Sequence, residues 1–166
     1  MQYILTLLLP LFLWANSYNF DEYKYISAAS TEFKKSGNIS FENNKTTITY
    51  DKPQYKQIVL DGEEITIQGA SGDIIKLKGK ALFFTKMYIT TIAKLDNFDE
   101  LKTNRDFDVK KDANLYILSF KNGLKEQILK AKILTKDSKV LSFKLFIKNG
   151  DTLEIVKKSN TIHKIK

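Results

Sequence analysis

The sequence predicts a mainly β protein of the α+β kind, in which antiparallel strands form a curved sheet and one apolar helix lies against its concave face. Three observations predict it. Apolar and polar residues alternate with a period of two along most of the chain, two-residue turn signals join neighbouring strands, and one apolar helical stretch separates two runs of strands.

The amino terminus comes first. Ile4 to Leu13 is apolar apart from Thr6 and Pro10, and Trp14 and Ala15-Asn16-Ser17 follow at the spacing a signal peptidase reads. Residues 1–17 are therefore expected to be a secretory signal cleaved after Ser17, with the n-region Met1-Gln2-Tyr3 lacking Lys and Arg. The alternative, a permanent membrane anchor, is weaker, because about ten apolar residues fall short of the roughly twenty that a hydrocarbon core requires. The expected organisation is one domain over 18–158 followed by a basic tail over 159–166. The chain has no cysteine, hence no disulfide and no thiol to carry a lipid anchor of its own.

A formal net charge of +8 favours anionic surfaces. Of the 27 cationic residues only Arg105 is arginine, and the lysines are expected along the strands as single outward-facing residues, not as a block. Lysine is a hydrated point charge without the planar fork that reads phosphate or guanine in pairs of bonds, so no nucleic-acid partner is expected.

The strands follow in order. Ile39 and Phe41 alternate with Asn38 and Ser40; Thr46, Ile48 and Tyr50 with Thr47 and Thr49; Ile65 and Ile67 with Glu64 and Thr66. Asp61-Gly62 lies between 57–60 and 64–67, and Asn149-Gly150 between 140–148 and 152–158, both hairpin signals. Gly69-Ala70-Ser71-Gly72 turns the chain into 73–78, and Asn43-Asn44 and Lys136-Asp137-Ser138 mark further turns. Leu141, Phe143, Leu145 and Ile147 are expected on one face, with Phe146 interrupting the polar face opposite. Leu115 to Phe120 is apolar at both parities, so its strand is expected to be covered on both sides or to line something on one.

From Lys80 to Leu95 the apolar residues Ala81, Phe84, Tyr88, Ile92 and Leu95 recur at helical steps, flanked by Leu82, Phe83, Met87 and Ile89. Several β-branched residues lower the helical propensity and keep a strand reading open. Phe98 to Lys102 is a candidate further turn, and Leu124 to Leu129 a short helical or strand entry.

Phe20-Asp21-Glu22-Tyr23-Lys24 resembles the F-x-Q-x-K start of periplasmic outer-membrane lipoprotein carriers of the LolA-like superfamily. Ser36 to Phe41 is similar to their G-x-L-x-F strand, Tyr50-Asp51-Lys52-Pro53 to their Y-x-x-P step, and Ile58 to Ile65 to their strand, D-G, strand unit. Phe107, Tyr116 to Phe120 and Val140 to Glu154, with Asn149-Gly150-Asp151, extend the resemblance over about 20–157, closest to the shorter relatives. It implies an unclosed antiparallel β half-barrel with a helical lid on the concave face, and a periplasmic monomer that takes an acylated lipoprotein or lipid cargo from an inner-membrane donor complex to an outer-membrane acceptor, without cofactor or catalysis. Two features depart from the family. No room remains for a helix before the first strand, and Glu42-Asn43-Asn44 stands where the carriers have a lid-holding K-R-P step.

The chemistry of such a carrier follows from the cargo. Taking an acyl chain into water forfeits about 0.8 kcal/mol per methylene, on the order of ten kcal/mol for a long chain. A carrier must replace that burial and still release, which favours a smooth apolar wall and a moveable lid. The candidates for the cavity are Phe41, Ile48, Ile65, Ile67, Leu115 and Ile117 on strands, and Phe84, Met87, Tyr88 and Ile92 on the helix; individually, residues at these periods are also ordinary core. A binding or assembly module holding an apolar peptide or a protein partner on the same half-barrel is the alternative.

An enzyme is not expected. His163 is the sole histidine and sits in the lysine-rich tail, which leaves no catalytic triad elsewhere and no metal site of the His/Cys kind. Gly69 to Gly72 lacks the following Gly-Lys-Ser/Thr of a phosphate loop, and no D-x-D-x-D-G calcium loop occurs. The carboxylate groups Asp96, Asp99 and Glu100, and Asp106 with Asp108, are expected to face solvent rather than to serve as a glycosidase pair.

Overall fold

A computed structural model describes residues 16–42, 44–94, 107–121, 125–137 and 139–158. Eleven strands form one antiparallel sheet: β1 (Asn16–Ile26), β2 (Thr31–Glu42), β3 (Lys45–Lys52), β4 (Lys56–Asp61), β5 (Glu64–Gly69), β6 (Ile74–Lys76), β7 (Phe107–Asp112), β8 (Leu115–Phe120), β9 (Ile128–Lys136), β10 (Lys139–Ile147) and β11 (Thr152–Lys157). One helix, α1 (Gly79–Lys94), falls between β6 and β7. It matches the expected bounds of Lys80 to Leu95 to within one residue, and residue 95 lies outside the described residues.

The strand order β6-β5-β4-β3-β2-β1-β11-β10-β9-β8-β7 explains why the helix lies where it does. Two meanders join through β1 and β11, so β6 and β7 are opposite edges of an unclosed sheet. The chain leaving β6 must cross a whole face to reach β7. A mostly apolar crossing segment settles on the face that carries the apolar side chains, burying Ile89 and Ile92 against it.

Cross-strand partners share a face, so the register shows that face directly. One row runs Tyr18, Ile39, Ile48, Ile58, Ile67, Ile75 across six strands. A second runs Lys35, Glu22, Ile155, Phe143, Ile133, Tyr116. Between them, Phe20, Gly37, Tyr50 and Lys56 form a shorter row. Gly37 is required there, because a Cβ would stand 2.2 Å from the Thr49 carbonyl oxygen, and the rings of Phe20 and Tyr50 meet edge to face over the gap with centroids 5.7 Å apart.

The hairpins form as their turn residues predict, with Gly62 and Gly150 at positive φ. At the second hairpin, Asp151 Oδ1 accepts the Ser27 backbone N–H at 2.9 Å and ties that turn to the end of β1.

Two expectations need correction. Leu141 does not share the face of Phe143 and Leu145: a register shift between Val140 and Ser142 buries Val140 and leaves Leu141 38% exposed. β9 lies where only its ends had been marked, because a second shift near Ile147 and the outward Leu129 and Leu134 break its alternation. The expected signal up to residue 15, the turn over Phe98 to Lys102, Leu124 itself, Asp96, Asp99, Glu100, Asp106 and the tail with His163 lie outside the described residues.

Candidate functional site

The inner face of the sheet is apolar over most of its area, and a buried carboxyl, that of Glu22, interrupts it. Glu22 is inward on β1 by alternation with Tyr18 and Phe20, and is 5% exposed. Its Oε2 accepts the hydroxyl protons of Tyr50 on β3 at 2.6 Å and of Tyr88 on α1 at 3.0 Å, while Lys35 Nζ on β2 lies 3.8 Å from Oε1. A buried carboxyl needs such partners. Burial first, then the neighbouring Glu22, raise the Tyr50 phenol well above its usual range; burial likewise raises Tyr88.

This cluster ties the helix to the sheet. Lys86 adds an ion pair to Glu63 in the β4–β5 turn, highly exposed on the glutamate side and so a weak tie. The tie between α1 and the sheet is thus made by a glutamate of β1, Glu22, through the Tyr88 hydroxyl. A glutamate in a strand reads as a solvent position until the fold turns it inward. The only available signal was its parity with Phe20.

Beside the Glu22 cluster, at the end of the inner face nearest β6, an apolar cleft of about 300 Å³ opens to solvent between the β3–β4 connection and β5 and β6. Tyr50, Ile67, Ile75 and Pro53 form its walls, with Lys35 and Lys56 at its rim. Ile75 is inward by its pairing with Ile67, yet 61% exposed on the edge strand.

Of the cavity candidates, Ile48, Ile65 and Ile92 are sealed in the core, and Phe41, Ile67, Phe84, Met87 and Tyr88 are half-buried against it. Leu115 and Ile117 are not on this face. Tyr116, Leu118 and Phe120 take the inner positions, so Leu115 and Ile117 point outward opposite Leu134 and Lys132. Their strand is therefore apolar at both parities without lining the cavity on its outer side; Lys110 and Lys132 flank Ile117, and their aliphatic stems can shield it.

Among the described residues no three His, Cys, Asp or Glu side chains gather to hold a metal, and Asp108 is exposed and paired with Lys121. No helix among them is long and apolar enough to cross a membrane.

No family model and no curated protein matches the chain. Solved structures do resemble it. A LolA superfamily protein from Nitrosomonas europaea is 9% identical with a TM-score of 0.41, covering 87% of this chain and 84% of that one. A DUF1329 family protein from Desulfovibrio piger is 10% identical with a TM-score of 0.41, covering 86% and 83%. A domain named for outer membrane lipoprotein sorting, from Vibrio parahaemolyticus, is 5% identical with a TM-score of 0.39, covering 86% and 83%.

Proposed function

We propose that this protein is a non-catalytic periplasmic carrier that buries the acyl chains of a lipid or lipoprotein on the inner face of its half-barrel and moves them toward the outer membrane. The observation that carries the reading is the arrangement of that face. A continuous apolar row crosses six strands, a helix held by two tyrosine–glutamate and lysine–glutamate ties covers part of it, and a cleft continues it into solvent. Apolar burial replaces what an acyl chain loses on leaving a membrane and, being made of non-directional contacts, still permits release. A donor complex at the inner membrane and an acceptor at the outer membrane complete the proposal.

The experiment is native mass spectrometry of the protein purified from periplasm without detergent. Co-purifying lipid, or an acylated peptide, is expected. Recovery of an unacylated peptide instead would favour the alternative of a binding or assembly module. One feature supports that alternative: the sheet is unclosed, and its three-residue edge strand β6 exposes Ile74 and Ile75 by 69% and 61%.

A further inference from the structure

We infer that the open end of the inner face is a head-group subsite for an anionic amphiphile, whose acid head sits between Lys35 and Lys56 while its tail runs over Ile67 and Ile75 toward the helix. This rests on the carrier reading and specifies the chemical class of its cargo.

The register turns these lysines inward. Lys35 pairs with Glu22, Lys56 pairs with Tyr50, and Lys24 pairs with Leu153, each at an inner position. Most lysines of this sheet stand on the outer face or in turns, where water takes the charge. Lys35 and Lys56 instead rim an apolar cleft, both half-buried. The cleft volume of about 300 Å³ matches the lower end of small-molecule sites, roughly 300 to 1,000 Å³.

Positive charge exceeds negative charge at this rim. Glu22 faces Lys35 at 3.8 Å and already accepts two tyrosine hydroxyls. Among the described residues no carboxyl lies within ion-pair distance of Lys56, and Glu22 acts on it only at longer range. Burial, then the Lys35 charge, lowers the Lys56 ammonium below its usual range, which is the direction expected where like charges meet beside apolar walls. A bound anion relieves that repulsion. The apolar surface directly beneath selects an anion with a tail over a free one.

The test compares cis-parinaric acid with its methyl ester, two fluorescent ligands with one tail and with or without a charge, both below their aggregation concentrations. Wild type is expected to bind the acid roughly ten-fold tighter than the ester, the size of one charge-assisted contact. Lys56→Glu is expected to remove that preference by weakening acid binding at least ten-fold more than ester binding, and the neutral Lys56→Gln to reduce it by a smaller factor should the reversed charge disturb folding. Equal binding of acid and ester by wild type overturns the subsite and leaves the carrier reading standing, as does a loss of both ligands in equal measure in a folded Lys56→Gln. Failure of wild type to bind either overturns both. Inorganic phosphate is expected not to displace the acid; displacement would identify a plain anion site and overturn the amphiphile.

Discussion

Glu22 occupies a position where an apolar residue would pack without cost, and its two tyrosine partners stabilise it only while both hydroxyls keep their protons. Tyr50→Phe removes the shorter bond and leaves the buried carboxyl less satisfied, a loss of about 1 to 3 kcal/mol measurable by urea unfolding. The same geometry fixes a pH dependence. Folding raises the Tyr50 and Tyr88 phenols above their ordinary value of 10.0, so their contribution is intact below that pH. Above it the unfolded chain loses phenolic protons that the folded chain retains, and stability falls. Thermal midpoints should therefore drop as pH rises past about 10, and less so in a Tyr50→Phe/Tyr88→Phe double variant. Gly37→Ala is expected to be more damaging than either single change, because its Cβ meets backbone at 2.2 Å and β3 would have to move. Failure to express folded protein, or loss of β-sheet circular dichroism, is the readout.

α1 is the element on which the proposed transport turns. Its length and its apolar character were legible from Lys80 to Leu95, whereas its inner side was not, because apolar residues occur nearly all round it. The sheet beneath decided that Ile89 and Ile92 are sealed while Phe83 remains 53% exposed. If the helix closes over cargo, Phe84→Asp or Met87→Asp should abolish binding of parinaric methyl ester while circular dichroism still reports a folded sheet. Unfolding of both variants would make the helix structural. Among strands, those with clean alternation or a glycine turn were legible, including β3, β4 and β5. β9 was not, since the register shift between Phe146 and Ile147 of its partner places an extra residue, Leu129, in β9 and breaks the period on which such reading depends.

At the scale of the whole molecule, charge divides between the two faces. Outside, Lys130, Lys132 and Lys144 stand within 6 Å of the Phe146 ring, and Lys144 also binds Glu154 at 2.9 Å. Phe146, read as an interruption of a polar face, is thus the apolar base of a lysine cluster. Lysines near an anionic surface contribute up to about 1 kcal/mol each, screened within a Debye length of about 8 Å at physiological salt. Co-sedimentation with anionic vesicles should accordingly fall steeply from low to physiological salt, while ester binding inside hardly changes. Asp21, also outward, joins β1, β2 and the end of β11 through Ser36 at 2.6 Å, Lys158 at 2.8 Å and Lys34 at 2.9 Å. Burial opposes its ionisation, but these three bonds prevail and hold its carboxyl far below the usual carboxylate range. That stability is present above the unfolded value of 3.8 and lost as pH falls below it, so Asp21→Asn should be less stable than wild type at neutral pH and converge with it in acid.

The sequence by itself determined the class of the fold, the hairpins at Gly62 and Gly150, the helix and the apolar parity of β2 to β5, because each rests on contacts between residues near in the chain or on a local period. Only the tertiary structure decided which inward residues meet. Glu22 joins Tyr50 and Tyr88 across 28 and 66 residues, Leu115 and Ile117 fall outside while their neighbours fall inside, and Lys35 and Lys56 come to share a cleft. Those relations depend on strand order and register across the whole sheet, which a periodic pattern leaves open: alternation tells that a side chain faces a side, and only pairing tells which neighbours it finds there.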